Sequence, residues 1–301
     1  MAHSLPAFRR ARSGIVAGVA HDPGAAAVPL SQLDPEEKAK RAGSFGEVAA
    51  HYGRYRPGPP PAAIDWILPT RVGRVVDLGA GTGALSRLLL DRAQEVLAVE
   101  PDDRMRSVLR QELPAVRAVD GRGESMPLPD GSVDAVVASS SWHWVDPVPA
   151  LHEVGRVLVP GGTLGALWSG PDLDSPFLVQ AQALLSEQSS TASNDDRADK
   201  SPLAELIVGD ARRPDSKLEI PPGVPFLPPL HEVFTWEMAL NADELIGLLG
   251  TFSWIITLPE VSRQRVFTEA RRLLRDLLGV EGDVTVDVGF RSVAWRSRRE
   301  S

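Results

Sequence analysis

The chain contains no cysteine among its 301 residues. Disulfide bonds, thiolate metal sites and cysteine nucleophiles are therefore excluded, and the sequence predicts no metal site. The absence of cysteine agrees with a reducing compartment, so we expect a cytoplasmic protein. Basic residues are also fewer than acidic ones, because the chain has 32 lysines and arginines against 40 acidic residues and a net charge of −8. This balance disfavours a nucleic-acid partner, since phosphate backbones attract basic surfaces.

Long hydrophobic runs are also missing. No stretch approaches the roughly 18 consecutive apolar residues of a membrane helix, so we expect no membrane partner. The short apolar stretch Gly14–Ala20 follows Arg9, Arg10 and Arg12, but it contains two glycines and lies at the lower length limit for the apolar segment of a signal peptide. The alternative, a disordered or loosely helical tail over residues 1–43, fits its composition better. The ordered domain is then residues 44–301.

Short apolar segments alternate with amphipathic ones between residues 70 and 169. The predicted strands are Arg74–Leu78, Glu95–Glu100, Val116–Val119, Ser132–Ala138 and Thr163–Trp168. Residues with helical spacing separate most of them. Strands that alternate with helices predict an α/β fold, a doubly wound and mostly parallel sheet with right-handed crossovers. We interpret residues 70–169 as a cofactor-binding core.

The alternation stops over residues 170–235. This region contains the polar, low-complexity segment Ser186–Lys200 and five prolines within Pro221–Pro229. We interpret it as an insertion that forms a helical lid over the site. Regular structure then resumes with a helix capped by Asn241, a longer helix over Glu260–Leu278, and either two strands or one bent strand within Asp283–Trp295.

The turn after the first predicted strand carries the strongest functional signal. Gly79, Gly81 and Gly83 follow Asp77 at a strand-to-helix turn, where backbone amides and the helix N-terminus bind ligands. A dinucleotide site requires G-x-G-x-x-G, and this spacing fails. A carboxylate at Asp77 would also repel a pyrophosphate, whereas it suits a cationic ligand. Glu100, which ends the next predicted strand, is placed to accept hydrogen bonds from ribose hydroxyls, but NAD also contains ribose.

These residues resemble the first motif of the class I S-adenosylmethionine (SAM)-dependent methyltransferases, (D/E)-x-G-x-G-x-G. Three further segments are similar to motifs of that family: Gly123–Pro129 to G-x-E-x-(I/L)-P-(L/F), Ser132–Val136 to its fourth strand, and Leu151–Gly162 to E-x-x-R-V-L-x-P-G-G. The matches follow the family's order over about residues 45–168. The resemblance, to the methyltransferase type 11 family in particular, implies a Rossmann-like fold and SAM as the cofactor.

The resemblance also implies a set of cofactor-binding residues in the loops that follow the strands. These are Asp77, Gly79, Ala80, Gly81, Gly83, Glu100, Pro101, Gly123, Glu124, Ser125 and Ser139. Asp102 is left open between a helix cap and a ligand contact.

A narrower resemblance concerns the substrate. Ser141–Asp146 is similar to the (A/S)-x-H-W-x-D signature of the trans-aconitate-type methyltransferases, and Tyr52–Pro57 is similar to their entry segment Y-x-x-Y-R-P. The candidate substrate contacts are Tyr52, Arg54, Arg56 and Trp142. One departure is Val288–Phe290, where those proteins often have a proline followed by tyrosine or arginine. If this stretch lines the pocket, the substrate differs as well.

His143 is the candidate catalytic residue, with a positioning role favoured over that of a general base. Methyl transfer from a sulfonium depends mainly on alignment and desolvation, and an ionised oxygen has no proton to lose. We therefore predict in-line methyl transfer to a carboxylate or hydroxyl oxygen of a small organic molecule, by a monomer or homodimer. The alternatives are N- or C-methylation, a SAM-binding protein without activity, and an NAD-dependent oxidoreductase.

Overall fold

The computed structural model describes residues 55, 58–68, 70–181, 183, 217–256 and 258–301. The predicted tail at 1–43 and about half of the predicted lid at 170–235 lie outside these residues. Within the described ranges, no helix has both the length and the apolar character needed to cross a membrane.

The described residues form one sheet of seven strands. The strands are β1 (Val72–Leu78), β2 (Ala93–Val99), β3 (Arg117–Val119), β4 (Val133–Ser139), β5 (Leu158–Pro171), β6 (Leu230–Leu240) and β7 (Val286–Arg298). Their order in the sheet is β3-β2-β1-β4-β5-β7-β6. The first five pair in parallel, whereas β7 is antiparallel to both β5 and β6. The predicted doubly wound, mostly parallel α/β sheet is confirmed.

Helices cover the two faces of this sheet. They are α1 (Pro61–Ile67), α2 (Ala84–Leu89), α3 (Asp103–Glu112), α4 (Pro147–Val157), α5 (Ala242–Leu249), α6 (Ser253–Ile256) and α7 (Glu260–Leu278), and a 3₁₀ turn at Trp142–Trp144 precedes α4. Val136 of β4 and Leu151 of α4 are fully buried together in one part of the core, and Val137 of β4 is fully buried with Leu89 of α2 on the opposite face.

The chain reverses its direction of travel across the sheet at β1. Asp77 of β1 pairs with Ala98 of β2 on one side and with Val137 of β4 on the other. The chain passes from β1 to β2 and β3 on one side and then returns from β3 to β4 on the other side of β1, and this opens a crevice beyond the carboxyl ends of the strands. Ligands bind at such a switch point in doubly wound sheets.

The structure corrects several predicted boundaries. The predicted strand Thr163–Trp168 is the middle of the much longer β5. Within Asp283–Trp295, the described strand is the single strand β7. The end of the predicted insertion belongs to β6, which has no continuous apolar run because, as the outer strand of the sheet, it leaves most of its first half exposed.

Side chains cap the N-termini of α5 and α3. Asn241 caps α5 as predicted, because its side chain accepts the N–H of Glu244 while Glu244 accepts the N–H of Asn241. Asp146 occupies the N-cap position of α4, but its side chain makes no capping hydrogen bond to the described backbone. Asp102 caps α3 by accepting from the N–H groups of Arg104 and Met105.

Candidate functional site

A cavity of about 290 Å³ lies at the switch point, beyond the carboxyl ends of β1, β2 and β4. Its volume is at the lower end of the range for ligand pockets. One side, here called the glycine-loop half, is lined by residues of 77–85, 100–105 and 121–124. The other, the aromatic half, is lined by Ser169, Gly170, Pro171, Leu248, Thr251, Phe252 and Phe290.

Glycine is needed at each of the three positions in the loop after β1, for different structural reasons. All three have positive φ angles, which glycine adopts without steric cost. A Cβ atom on Gly79 would lie 2.5 Å from Cβ of Ser141, and one on Gly83 would lie 2.7 Å from Cδ1 of Leu113. A Cβ atom on Gly81 would meet nothing within 4 Å. The space beside Gly81 is therefore open to a ligand in the cavity.

Glu100 follows β2 directly and is held by two backbone amides. One carboxylate oxygen accepts the N–H of Gly81 at 2.9 Å, and the other accepts the N–H of Asp102 at 2.9 Å. Burial raises the pKa of Glu100, and these two hydrogen bonds oppose the increase. A carboxylate has about four lone-pair sites, so a fixed Glu100 retains the capacity to accept from two ligand hydroxyls in the cavity.

Asp77 is a buried carboxylate with little compensation. Its side chain is 1% exposed, and one of its oxygens accepts the hydroxyl hydrogen of Ser86 at 2.6 Å. Burial, with a smaller contribution from the charge of Glu100, raises the pKa of Asp77 to about 7. Because Asp77 lines the cavity, a cation there would supply the missing compensation.

These features fit SAM better than a dinucleotide. SAM carries an ammonium and a sulfonium, and the buried Asp77 is a site for positive charge. The ribose hydroxyls of SAM can donate to the fixed carboxylate of Glu100, and the cofactor can approach Gly81 without a clash. A pyrophosphate beside Asp77 and Glu100 would face two carboxylates.

A third part of the glycine-loop half comes from the segment after β3. Gly123 lines the cavity where a Cβ atom would lie 2.6 Å from Cγ1 of Val145. Glu124 accepts the N–H of Asp146 at 2.6 Å, which ties this segment to the start of α4. The close approach at Gly123 explains why the segment carries a glycine there.

His143 lies at the edge of the cavity in the 3₁₀ turn that follows β4. The indole Nε1–H of Trp168 donates to Nδ1 of His143 at 3.0 Å. Nearby, Ser140 has a φ of 51°, which is uncommon for a residue other than glycine and often marks a functional loop. The turn thus holds the imidazole in a defined orientation at the cavity.

The aromatic half is built by elements that are distant in the sequence. Phe290 of β7 stacks on Trp236 of β6 with ring centroids 4.6 Å apart. Ser169 of β5 forms a hydrogen bond of 2.8 Å with Ser292 of β7. Leu248, Thr251 and Phe252, at and after the end of α5, complete this half.

The structure brings ten of the predicted site residues together around the cavity. They are Asp77, Gly79, Ala80, Gly81, Glu100, Pro101, Gly123, Glu124, Ser139 and His143. The proposed substrate residues Tyr52, Arg54 and Arg56 lie outside the described residues.

Three predicted site residues are not among those that line the cavity, so their contacts with a cofactor or substrate stay predictions. Gly83 is where the chain passes close to Leu109 and Leu113 of α3. Ser125 lies in a tight turn, where its backbone exchanges two hydrogen bonds with that of Arg122. Trp142 is 5% exposed and packs in the core.

The aromatic half was largely missed by the sequence interpretation. Val288–Phe290 gave a signal, as a departure from the family pattern, and Phe290 does line the cavity. Ser169 and Phe290 are separated by about 120 positions, and neither belongs to a local motif. Their proximity depends on the antiparallel pairing of β5 with β7, which local sequence patterns do not encode.

The known proteins to which this chain is similar include methyltransferases. The family model described as a methyltransferase domain matches residues 76–166. An uncharacterized methyltransferase of Mycobacterium tuberculosis is 38% identical over 77% of this chain and 85% of its own length. A malonyl-[acyl-carrier protein] O-methyltransferase of Enterobacter lignolyticus is 29% identical over 52% of this chain and 63% of its own.

A solved structure supports the fold. It is that of a candidate type II methyltransferase from Anaeromyxobacter dehalogenans, with a TM-score of 0.54 and 24% identity, and the match covers 81% of this chain and 98% of the other.

Proposed function

Because the chain belongs to the class I SAM-dependent methyltransferases, we propose that it methylates an oxygen atom of a small organic molecule. The observation that carries this proposal is the continuity of the cavity. It runs from the glycine loop past His143 into the aromatic half, so a donor and an acceptor molecule can meet inside it.

The residues of the glycine-loop half bind and orient the cofactor. SAM supplies an electrophilic methyl group on a sulfonium sulfur. Asp77 neutralises positive charge on its amino-acid portion, and Glu100 accepts hydrogen bonds from its ribose. Fixing the cofactor at these two carboxylates aligns the methyl group with the acceptor, and alignment is the main requirement of an in-line displacement.

The aromatic half excludes water and receives the acceptor. Phe252, Phe290 and Leu248 offer apolar surface, and His143 offers a polar contact at the boundary of the two halves. Removing water from an oxygen nucleophile raises its reactivity. The O-methyltransferase named among the relatives supports an oxygen acceptor over a nitrogen or carbon acceptor.

Further parts of the proposal rest on the sequence. The negative net charge of −8 supports a small-molecule acceptor over a nucleic acid, and the lack of cysteine supports a cytoplasmic location. We propose that segment 45–57 and the part of 170–235 between β5 and β6 close over the acceptor and that Tyr52, Arg54 and Arg56 contact it. We also propose that the protein is a monomer or a homodimer.

Methyl transfer from methyl-labelled SAM to a panel of carboxylic acids, phenols and amines tests the accepting atom. We expect label on acids or phenols. Base treatment separates these two, because a methyl ester is hydrolysed to labelled methanol and a methyl ether is not. Gly81→Val serves as the control variant without a cofactor site. Label found only on amines would contradict the proposal for oxygen.

A further inference from the structure

Arg106 of α3 is a buried guanidinium outside the cavity lining. It is 7% exposed, and it contacts the chain both just after β2 and just after β3. We infer that Arg106 is a positioning residue for the cofactor, because it fixes the gap between these two strand ends and so places the cavity wall that holds the base of SAM. The inference concerns the cofactor, so it does not depend on which atom is methylated.

The guanidinium of Arg106 bridges three elements through two of its nitrogens. Nη1 donates to the backbone carbonyl oxygen of Glu100 at 2.7 Å and to Oδ1 of Asp120 at 3.1 Å. Nη2 donates to Oδ1 of Asp103, in the first turn of α3, at 3.2 Å. Because Glu100 directly follows β2 and Asp120 directly follows β3, one nitrogen joins the carboxyl ends of two neighbouring strands.

This bridge begins where the backbone pairing of the two strands ends. The strand β3 has three residues, and its register with β2 ends at the pair Val99 and Val119. The N–H of Glu100 then donates to the carbonyl of Val119 at 3.2 Å. The side chain of Arg106 continues the connection one residue further, to Asp120. As the outer strand, β3 has only β2 as a neighbour in the order of the sheet, so the segment that follows it depends on such contacts.

The segment after Asp120 is a wall of the cavity. Residues 121–124 all line it. A Cβ atom on Gly121 would lie 3.0 Å from Cγ1 of Val99, so this segment lies against the end of β2. A displacement of Asp120 would therefore move the wall relative to the carboxylate of Glu100.

The order of the strands indicates which part of SAM meets this wall. The carboxyl ends of β1, β2 and β3 lie side by side in that order, with Asp77 at the end of β1 and Glu100 after β2. SAM carries its ribose between its amino-acid portion and its base. With the amino-acid portion at Asp77 and the ribose at Glu100, the base is directed to the end of β3, where residues 121–124 line the cavity.

Stability alone is a poor explanation of Arg106. The side chains of its partners Asp103 and Asp120 are 75% and 74% exposed, and ion pairs with exposed groups contribute little to stability. Among the described residues, the buried Nε of Arg106 has no hydrogen-bond partner, which adds a cost. A charged group that is buried with incomplete compensation fits a positioning role better.

Two ligands that differ in the base test this role. S-adenosylhomocysteine carries adenine, whereas S-ribosylhomocysteine has a hydroxyl in its place, so the ratio of their affinities measures the contribution of the base. Competition measured by ligand-observed NMR gives both affinities for the full chain. We expect Arg106→Met to lower this ratio at least about fivefold, mainly through weaker binding of S-adenosylhomocysteine. Methionine is suitable because an apolar side chain often replaces a buried ion without loss of stability.

The two aspartates that bind Arg106 provide a matched pair of variants. Both are ion-paired with the guanidinium and are about equally exposed, but only Asp120 is joined to the cavity wall. We expect Asp120→Asn to lower the affinity ratio about two- to threefold, as the loss of one exposed ion pair allows. Asp103→Asn should leave the ratio unchanged. This pair also tests the inference if Arg106→Met does not fold.

Several results would overturn the positioning role of Arg106. They are an unchanged ratio in Arg106→Met, an equal loss of affinity for both ligands, equal ratios in the two aspartate variants, and a wild type that binds both ligands equally. An equal loss for both ligands is what a merely structural role predicts. None of these measurements involves an acceptor, so a failure to methylate acids and phenols with the ratios as expected would contradict the proposed function alone.

Discussion

Ionisation of Asp77 disfavours folding but favours the binding of a cation. Its carboxylate is nearly inaccessible to water, and the neighbouring Glu100 adds further negative charge, so its pKa rises from 3.8 to about 7. Between these two values the folded state binds a proton that the unfolded state has released. The contribution of Asp77 to folding therefore becomes less favourable as the pH rises from about 4 to about 7. A cation in the cavity would remove this cost.

Asp77→Asn should therefore stabilise the free protein in a pH-dependent way. An amide resembles the protonated acid and carries no charge to bury. We expect its gain in unfolding free energy over the wild type to grow by roughly 2–3 kcal/mol from pH 5 to pH 8, following the shifted pKa. Denaturant unfolding at both values measures it, with the exposed Asp283→Asn as the control. A gain independent of pH would show that Asp77 ionises normally.

Gly81 can be distinguished from a glycine that serves only its turn. Gly81 and Gly131 have φ angles of 56° and 55°, and a Cβ on either meets nothing within 4 Å, but only Gly81 lines the cavity. We expect Gly81→Val and Gly131→Val to lose similar stability, about 1–2 kcal/mol or more from the left-handed backbone. Only Gly81→Val should lose SAM binding. Equal SAM affinity in the two variants would contradict contact between Gly81 and the cofactor.

The helix α5 extends from a capped N-terminus to the aromatic half of the cavity. Its capping box joins Asn241 and Glu244, and Leu248 near its other end lines the aromatic half. We expect Asn241→Ala to cost about 1 kcal/mol of stability and to leave SAM affinity unchanged, because α5 contributes nothing to the glycine-loop half. Thermal unfolding and calorimetry measure these two effects. Asn241→Asp, which retains a capping oxygen, should behave as the wild type, and a marked loss of SAM affinity in Asn241→Ala would contradict the division into halves.

The elements that could be predicted from the sequence are those whose signals are local. The helix α7 has the predicted bounds, Glu260–Leu278, because its leucines repeat with helical spacing and Pro259 and Gly279 flank it. The strand β6 was missed, since its exposed residues interrupt any apolar run. The length of β5 was underestimated because its two ends are stabilised by pairing with β7, a contact distant in sequence.

Over the whole molecule, the two halves of the site also differ in whether they depend on local sequence or on contacts distant in sequence. The glycine-loop half comes from turns directly after β1, β2 and β3, so one stretch of sequence carries its motifs and its residues could be predicted. The aromatic half combines β5, α5 and β7, and its chemistry depends on tertiary pairing. For example, hydrogen bonds link Trp236 of β6 to Ser292 of β7 and Ser292 to Ser169 of β5, so no motif of consecutive residues contains these contacts.

We propose that Asp77, a buried carboxylate with little compensation, binds SAM in the switch-point cavity. Calorimetric titration of the full chain with SAM between pH 5 and pH 7 tests it most directly. We expect micromolar affinity at pH 7 and a loss of about tenfold per pH unit below the raised pKa of Asp77, absent in Asp77→Asn. Binding of NADH without binding of SAM, or a SAM affinity that is independent of pH and unchanged in Asp77→Asn, would contradict the account.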